Sequence, residues 1–173
     1  RDYVLAGQWF PKVGVWEDAG ERGRLAAGWS CHQYHADSEF FADFGDYDVS
    51  ITLPVRYRGH VGATGKLVEV RADAATVWVH FVQTGVHDFA WAADPRFVVI
   101  RDKFRPDYDV PLGLRGRVAS VLGVRPGDLA LSGLDITLLM QPANLPQAGR
   151  YLRGVKAALA GYGLYLGPYP WAT

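Results

Sequence analysis

Tyr47, Val49, Ile51 and Leu53 alternate with Asp48, Ser50 and Thr52. In an extended chain, residues two apart share a face, so this spacing describes a strand with one apolar side to bury. Pro54 ends it. The same rule sets Val77, Val79 and Phe81 opposite Trp78 and His80 within residues 76–82, and residues 66–71 alternate again through Leu67. With residues 61–65 as a turn, three antiparallel strands with short connections are predicted.

Upstream, Val4-Leu5-Ala6 and residues 12–16 read as short strands around Gly7-Gln8-Trp9-Phe10-Pro11, with Pro11 suited to an edge. Residues 17–28, punctuated by glycine, read as a loop, and residues 29–44 are dense in aromatic and polar groups. Composition changes across residues 85–95, which hold Phe89, Trp91, a His87-Asp88 pair and three alanines before Pro95. This stretch is the expected junction of two units.

Beyond it, Phe97-Val98-Val99-Ile100 reads as a short buried strand and residues 134–140 as another, closed by Pro142. Residues 114–122 fit a brief helix with Leu114, Val118, Val121 and Leu122 on one face and Gly123 as its stop. The clearest helix is predicted over 146–160. Pro146 suits its first turn, Tyr151, Leu152, Val155, Ala158, Leu159 and Tyr162 form a stripe, and Gly161 and Gly163 can cap it. Arg150, Arg153 and Lys156 then form its wet face. The expected class is mainly β with an α+β tail: an antiparallel β-sandwich or saddle portion followed by strands and one amphipathic helix.

Of the 173 residues, 49% are hydrophobic and 21% charged, an ordinary globular balance. The 18 basic and 18 acidic residues cancel and no run of like charge occurs, which argues against a nucleic-acid partner or an anionic-membrane patch. Apolar runs fall far short of the roughly 20 residues that span a bilayer, so a soluble segment is expected. The chain begins at Arg1 without methionine and stops at Pro170-Trp171-Ala172-Thr173, soon after the helix, so a piece of a longer protein is expected. Cys31 is the single cysteine, which excludes an internal disulfide and leaves the compartment undetermined.

Candidate sites have bland alternatives. Cys31, His32 and His35 with Asp37 and Glu39 offer zinc-type ligands, but His32 and His35 fall on opposite sides of an extended strand, which favours structural polar residues. His87 and Asp88, adjacent in sequence, point apart on a strand, and no serine or cysteine stands in an evident nucleophile turn, which favours corner hydrogen bonding over a catalytic dyad. Glu39, Asp43, Asp46 and Asp48 are interrupted by Phe40, Phe41 and Phe44, unlike a calcium loop. The 6 Trp and 9 Tyr supply material for stacking on sugars, although large aromatics in β folds more often fill cores. The zinc-protease signature His-Glu-x-x-His does not occur.

Three blocks nevertheless resemble the gluzincin zinc aminopeptidases, relatives of alanyl aminopeptidase, and most of all their bacterial membrane-associated members. They are Gln8-Trp9-Phe10-Pro11-Lys12-Val13-Gly14-Val15-Trp16-Glu17, His32-Gln33-Tyr34-His35 through Glu39-Phe40-Phe41-Ala42-Asp43-Phe44-Gly45-Asp46-Tyr47-Asp48-Val49, and His87-Asp88-Phe89-Ala90-Trp91. The likeness continues through Leu138-Leu139-Met140-Gln141-Pro142, Tyr162-Gly163 and Gly167-Pro168-Tyr169-Pro170. It implies that 1–92 is the C-terminal part of an N-terminal β saddle domain and 93–173 the beginning of a thermolysin-like catalytic domain, truncated before the zinc-binding helix. No catalytic residue or metal ligand is then expected in this chain, zinc belongs to the full-length parent, and the isolated segment is inactive. Gln8 falls where relatives hold the free amino group of the peptide, although Trp9 and Phe10 depart from the usual pattern around that glutamine, and the alternative is a buried glutamine bonded to its own loop. The implied partners are a peptide substrate and the rest of the catalytic domain. Self-association of the segment through Tyr151, Val155, Leu159 and Tyr162 is expected if the helix face is left uncovered. The competing expectations are a carbohydrate-binding β module, or a scaffold whose later catalytic motif has decayed.

Overall fold

The structure, a computed structural model, describes residues 2–30, 35–37 and 43–171. The fold is mainly β, built from open antiparallel sheets, and closes with a C-terminal helix. Two compact units form, Arg1–Pro95 and Arg96–Thr173.

In the first unit, β1 (Val4–Ala6), β2 (Val15–Glu17) and β3 (Gly28–Ser30) are short, whereas β4 (Gly45–Pro54) is long. They are followed by β5 (Val61–Ala63), β6 (Lys66–Ala72), β7 (Thr76–Val86) and β8 (Trp91–Ala93). The three strands expected from alternation form one antiparallel sheet, with β7 central in the order β4-β7-β6. Val49, Ile51 and Leu53 pair with Phe81, Val79 and Val77, so the apolar faces of both strands coincide. Ile51, Val77, Val79 and Phe81 are buried there with Tyr57, Phe89 and Ala93. The β6–β7 turn is set by Asp73, whose carboxylate accepts the amides of Ala75 and Thr76, each at 2.7 Å. Gly65 opens β6 at φ +89°, where a Cβ would stand 2.6 Å from the Val82 carbonyl oxygen, so only glycine fits.

Residues 61–63, expected as a turn, are a strand. β8 lies between β1 and β5 and supplies the ladder partners that Val61-Gly62-Ala63 cannot find locally. Of the strand expected at 12–16, β2 covers Val15–Glu17, with Val15 opposite Ser30 of β3. The intervening loop holds a short 3-10 turn at Glu21–Gly23.

In the second unit, β9 (Val98–Phe104) pairs along its whole length with β10 (Leu134–Met140), from Leu134 opposite Phe104 to Met140 opposite Val98. The strand therefore continues through the charged Arg101-Asp102-Lys103, past the apolar run that predicted it. The helices are α1 (Pro106–Asp109), α2 (Leu114–Leu122) and α3 (Ala148–Leu166). α2 ends at Gly123 as expected, but it buries Val118 and Ala119 while Val121 and Leu122 are exposed. Pro146 belongs to a 3-10 segment ahead of α3, and Gly161 and Gly163 lie inside the helix, which Gly167 terminates at φ +111°.

The buried stripe of α3 is rotated from the expected one. Leu152, Val155 and Leu159 turn inward with Ala160, Gly163 and Leu164, around the core of Phe104, Leu134 and Ile136. Tyr151, Ala158 and Tyr162 are exposed. Gly163 allows this approach, since a Cβ there would meet Leu131 Cδ2 at 2.8 Å. Lys156, expected on the wet face, instead lies 2.9 Å from Asp102 and 3.2 Å from Asp109, joining α3 to β9 and α1. Among the described residues no helix is long and apolar enough to cross a membrane.

Candidate functional site

Two segments far apart in sequence define the site. β1 runs antiparallel to β8 with Ala6 opposite Trp91, so the chain leaving β1 at Gly7 meets the chain entering β8 at Phe89 and Ala90. The indole N–H of Trp9 donates to the Phe89 carbonyl at 3.0 Å. Lys12 Nζ stands 3.0 Å from Asp88 Oδ2, with both side chains largely shielded. That ammonium is out of water and makes no well-aligned hydrogen bond, so the Asp88 carboxylate is what compensates its charge. The other Asp88 oxygen accepts the Phe89 amide at 2.7 Å. Thr64 fixes the same corner through both its amide, 2.9 Å from the Ala90 carbonyl, and its hydroxyl, which accepts the Ala90 amide at 3.1 Å.

Aromatic rings form the floor. Phe10 packs edge-on against Trp9 at 5.4 Å and against Tyr47 at 5.7 Å, and Tyr47 reaches Phe89 at 5.9 Å. Phe89 has no exposed surface. Three sequence blocks, around residues 8–12, Tyr47 and residues 88–91, thus converge on one cluster.

Gln8 sits at the rim, exposed, with its backbone left-handed at φ 54°. A left-handed non-glycine residue is disfavoured by about 1–2 kcal/mol and persists only where its surroundings hold it. Here β1 holds one side and the Trp9 and Lys12 contacts hold the other. The result is a carboxamide, a donor and an acceptor together, presented to solvent from a fastened turn.

The other candidates are dispersed. Cys31, His32 and Glu39 lie outside the described residues. Among the described residues no three His, Cys, Asp or Glu side chains gather closely enough to hold a metal ion. His87 packs edge-on against Phe44 at 6.0 Å while Asp88 is engaged by Lys12 and the Phe89 amide, which is corner chemistry. Asp43 accepts the amide of Phe44, Asp46 that of Gly85, and Asp48 lies 2.7 Å from His80 Nε2, three separate partnerships. Trp16 and Trp29 pair across β2 and β3, both exposed, with their rings at 83°, so they do not form one flat platform.

Two charge clusters escaped the sequence reading. Glu17 is buried between Arg22 at 2.8 Å and Arg24 at 3.0 Å, and their hydrogen bonds, that of Arg22 foremost, hold its carboxyl below the usual range. Lys156 is held above its ordinary value chiefly by Asp102, and the same contact lowers Asp102. Neither cluster has a spacing signal, and Lys12 with Asp88 has none either. The chain matches no protein-family model, no curated protein and no solved structure.

Proposed function

We propose that this chain is the non-catalytic front portion of a zinc-dependent aminopeptidase-like metallopeptidase and that it frames the substrate cleft of its parent. The observation that carries the reading is the convergence of the blocks that resemble the gluzincin aminopeptidases. Residues 8–12, Tyr47 and residues 88–91 are separate in sequence yet share hydrogen bonds, an ion pair and ring contacts. Gln8 is the one side chain of that cluster assigned to substrate, as a hydrogen-bonding partner for the free amino group of a peptide. On this reading the first unit belongs to the β saddle domain and the second opens the catalytic domain.

On this reading no hydrolytic step falls to residues 1–173. Zinc and the general base belong to the parent. The test is the parental reading frame beyond Thr173, expressed and assayed on aminoacyl-coumarin amides. A His-Glu-x-x-His followed by a more distant Glu, with chelator-sensitive hydrolysis by the parent and none by residues 1–173, is the expected result. Chelator-sensitive hydrolysis by residues 1–173 alone sinks the reading, and an intact parent without the motif reduces it to a scaffold.

A second reading, a carbohydrate-binding β module, draws on the exposure of Trp16 and Trp29. Binding on a glycan array that is lost in Trp29→Ala would favour it.

A further inference from the structure

We infer that this chain forms a two-fold dimer through β6, which pairs antiparallel with β6 of a second copy about an axis at Val70. The inference is independent of the proposed function. β6 ends the strand order β4-β7-β6, and every residue of Lys66–Ala72 is exposed. Val70 lies opposite Val79 and Leu67 opposite Phe81, so both belong to the core face of the sheet. Yet Val70 and Leu67 are 44% and 45% exposed, whereas Val79 and Phe81 are buried. The apolar face therefore runs uncovered to the edge. Edge strands are commonly blunted by charge or by bulges. Here Lys66 and the irregularity between Leu67 and Glu69 interrupt one end, but residues 69–72 pair regularly with β7.

Backbone and charge together select the partner and the register. The Asp73 amide donates to the Thr76 carbonyl at 3.0 Å, and antiparallel hydrogen bonding alternates along a strand. Asp73, Arg71 and Glu69 thus direct their backbone groups at β7, while Ala72 and Val70 direct theirs outward. An identical strand that continues the sheet with the same face apolar meets β6 about an axis through one residue. An axis at Glu69 or Arg71 sets like charge against like, and one at Val68 falls on the irregularity. An axis at Ala72 runs past the end of the strand into Asp73, whose carboxylate already accepts the Ala75 and Thr76 amides. An axis at Val70 lets the two Val70 residues exchange N–H···O=C bonds and sets each Glu69 opposite the other copy's Arg71. β6 is in this way complementary to itself, and the dimer joins two three-stranded sheets into one.

The test uses the 173-residue chain. Sedimentation velocity over a concentration series should show a monomer–dimer equilibrium. Glu69→Arg and Arg71→Glu should each raise its Kd about tenfold or more, and the double variant, which restores opposite charges across the axis, should return most of that loss. Val70→Pro removes an N–H that β7 does not use and should abolish the dimer. In the unaltered chain the Val70 amide should exchange with solvent deuterium about tenfold more slowly at concentrations where the dimer dominates than on dilution. Urea midpoints confirm that each variant is folded, and should Val70→Pro fail to fold, the charge series and the exchange of the unaltered chain decide. A strict monomer up to about 1 mM overturns the proposal. So does a dimer that survives Val70→Pro, a double variant no better than the single ones, or a Val70 amide whose exchange ignores concentration. Loss of the dimer in Tyr162→Ala but not in the β6 variants also overturns it and moves the association to α3.

Discussion

The ion pair of Lys12 and Asp88 closes the Gln8 turn onto the sheet, so its strength decides whether that turn is held at all. The charges stand 3.0 Å apart, with side-chain exposures of 15% and 21%. At that separation Coulomb's law gives about 1.4 kcal/mol at the dielectric of water and about 5.5 kcal/mol at an effective value near 20. Incomplete burial and the desolvation of both groups pull the net coupling down to roughly 2 kcal/mol. A double-mutant cycle isolates it. Lys12→Met keeps the aliphatic stem, and Asp88→Asn keeps an oxygen to accept the Phe89 amide. Urea unfolding followed by tryptophan fluorescence should show each single variant less stable by about 2–3 kcal/mol and the double variant by less than their sum, with the coupling little changed between about 0.1 M and 1 M salt. A coupling below about 0.5 kcal/mol, or one abolished by salt, would show a solvated surface pair that holds nothing.

Other consequences are open to measurement. Gly65→Ala sets a Cβ 2.6 Å from the Val82 carbonyl oxygen at φ +89° and should destabilise the first unit by about 3 kcal/mol, read as a lowered urea midpoint. Phe104→Ala, which empties the core beneath α3, should destabilise the second unit by about 3–5 kcal/mol, while Tyr162→Ala on the exposed face of the same helix should change stability by less than about 0.5 kcal/mol. The carboxyls of Glu17, Asp73 and Asp102 are all held low, by Arg22 and Arg24, by the Thr76 and Ala75 amides, and by Lys156 respectively. Groups lowered by folding contribute stability that is full above their ordinary values of 4.5 for Glu17 and 3.8 for both aspartates, and that fades as pH falls through the lower folded values. Glu17→Gln should therefore flatten the acid limb of the stability profile, and an unaltered limb would show that Glu17 contributes nothing to it.

Much of the fold was legible because the period-two pattern is local. Each residue of β4 and β7 reports its own face, and the strand read at 134–140 before Pro142 is β10. Strands 61–63 and 98–104 were misread for one reason, that their partners lie elsewhere in the chain. Val61-Gly62-Ala63 resembles a turn until β8 lies beside it, and Arg101-Asp102-Lys103 resembles a strand's end until β10 and Lys156 receive it. On α3 the sequence carries two apolar stripes, one through Leu152, Leu159 and Gly163 and one through Tyr151, Ala158 and Tyr162. Periodicity describes both equally. Only packing onto Phe104 and Ile136 chose the first, where glycine lets Leu131 come close.

The candidate site divides in the same way. Gln8 stood out in the sequence through its block, and residues 87–91 through a change of composition alone, although they lie inside the first unit. That Trp9 meets Phe89 and Lys12 meets Asp88, so that Gln8 stands left-handed between β1 and these two ties, was decided by tertiary structure alone. Local spacing dictates which way a side chain faces, but a contact between distant residues exists only once β1 and β8 have brought their ends together.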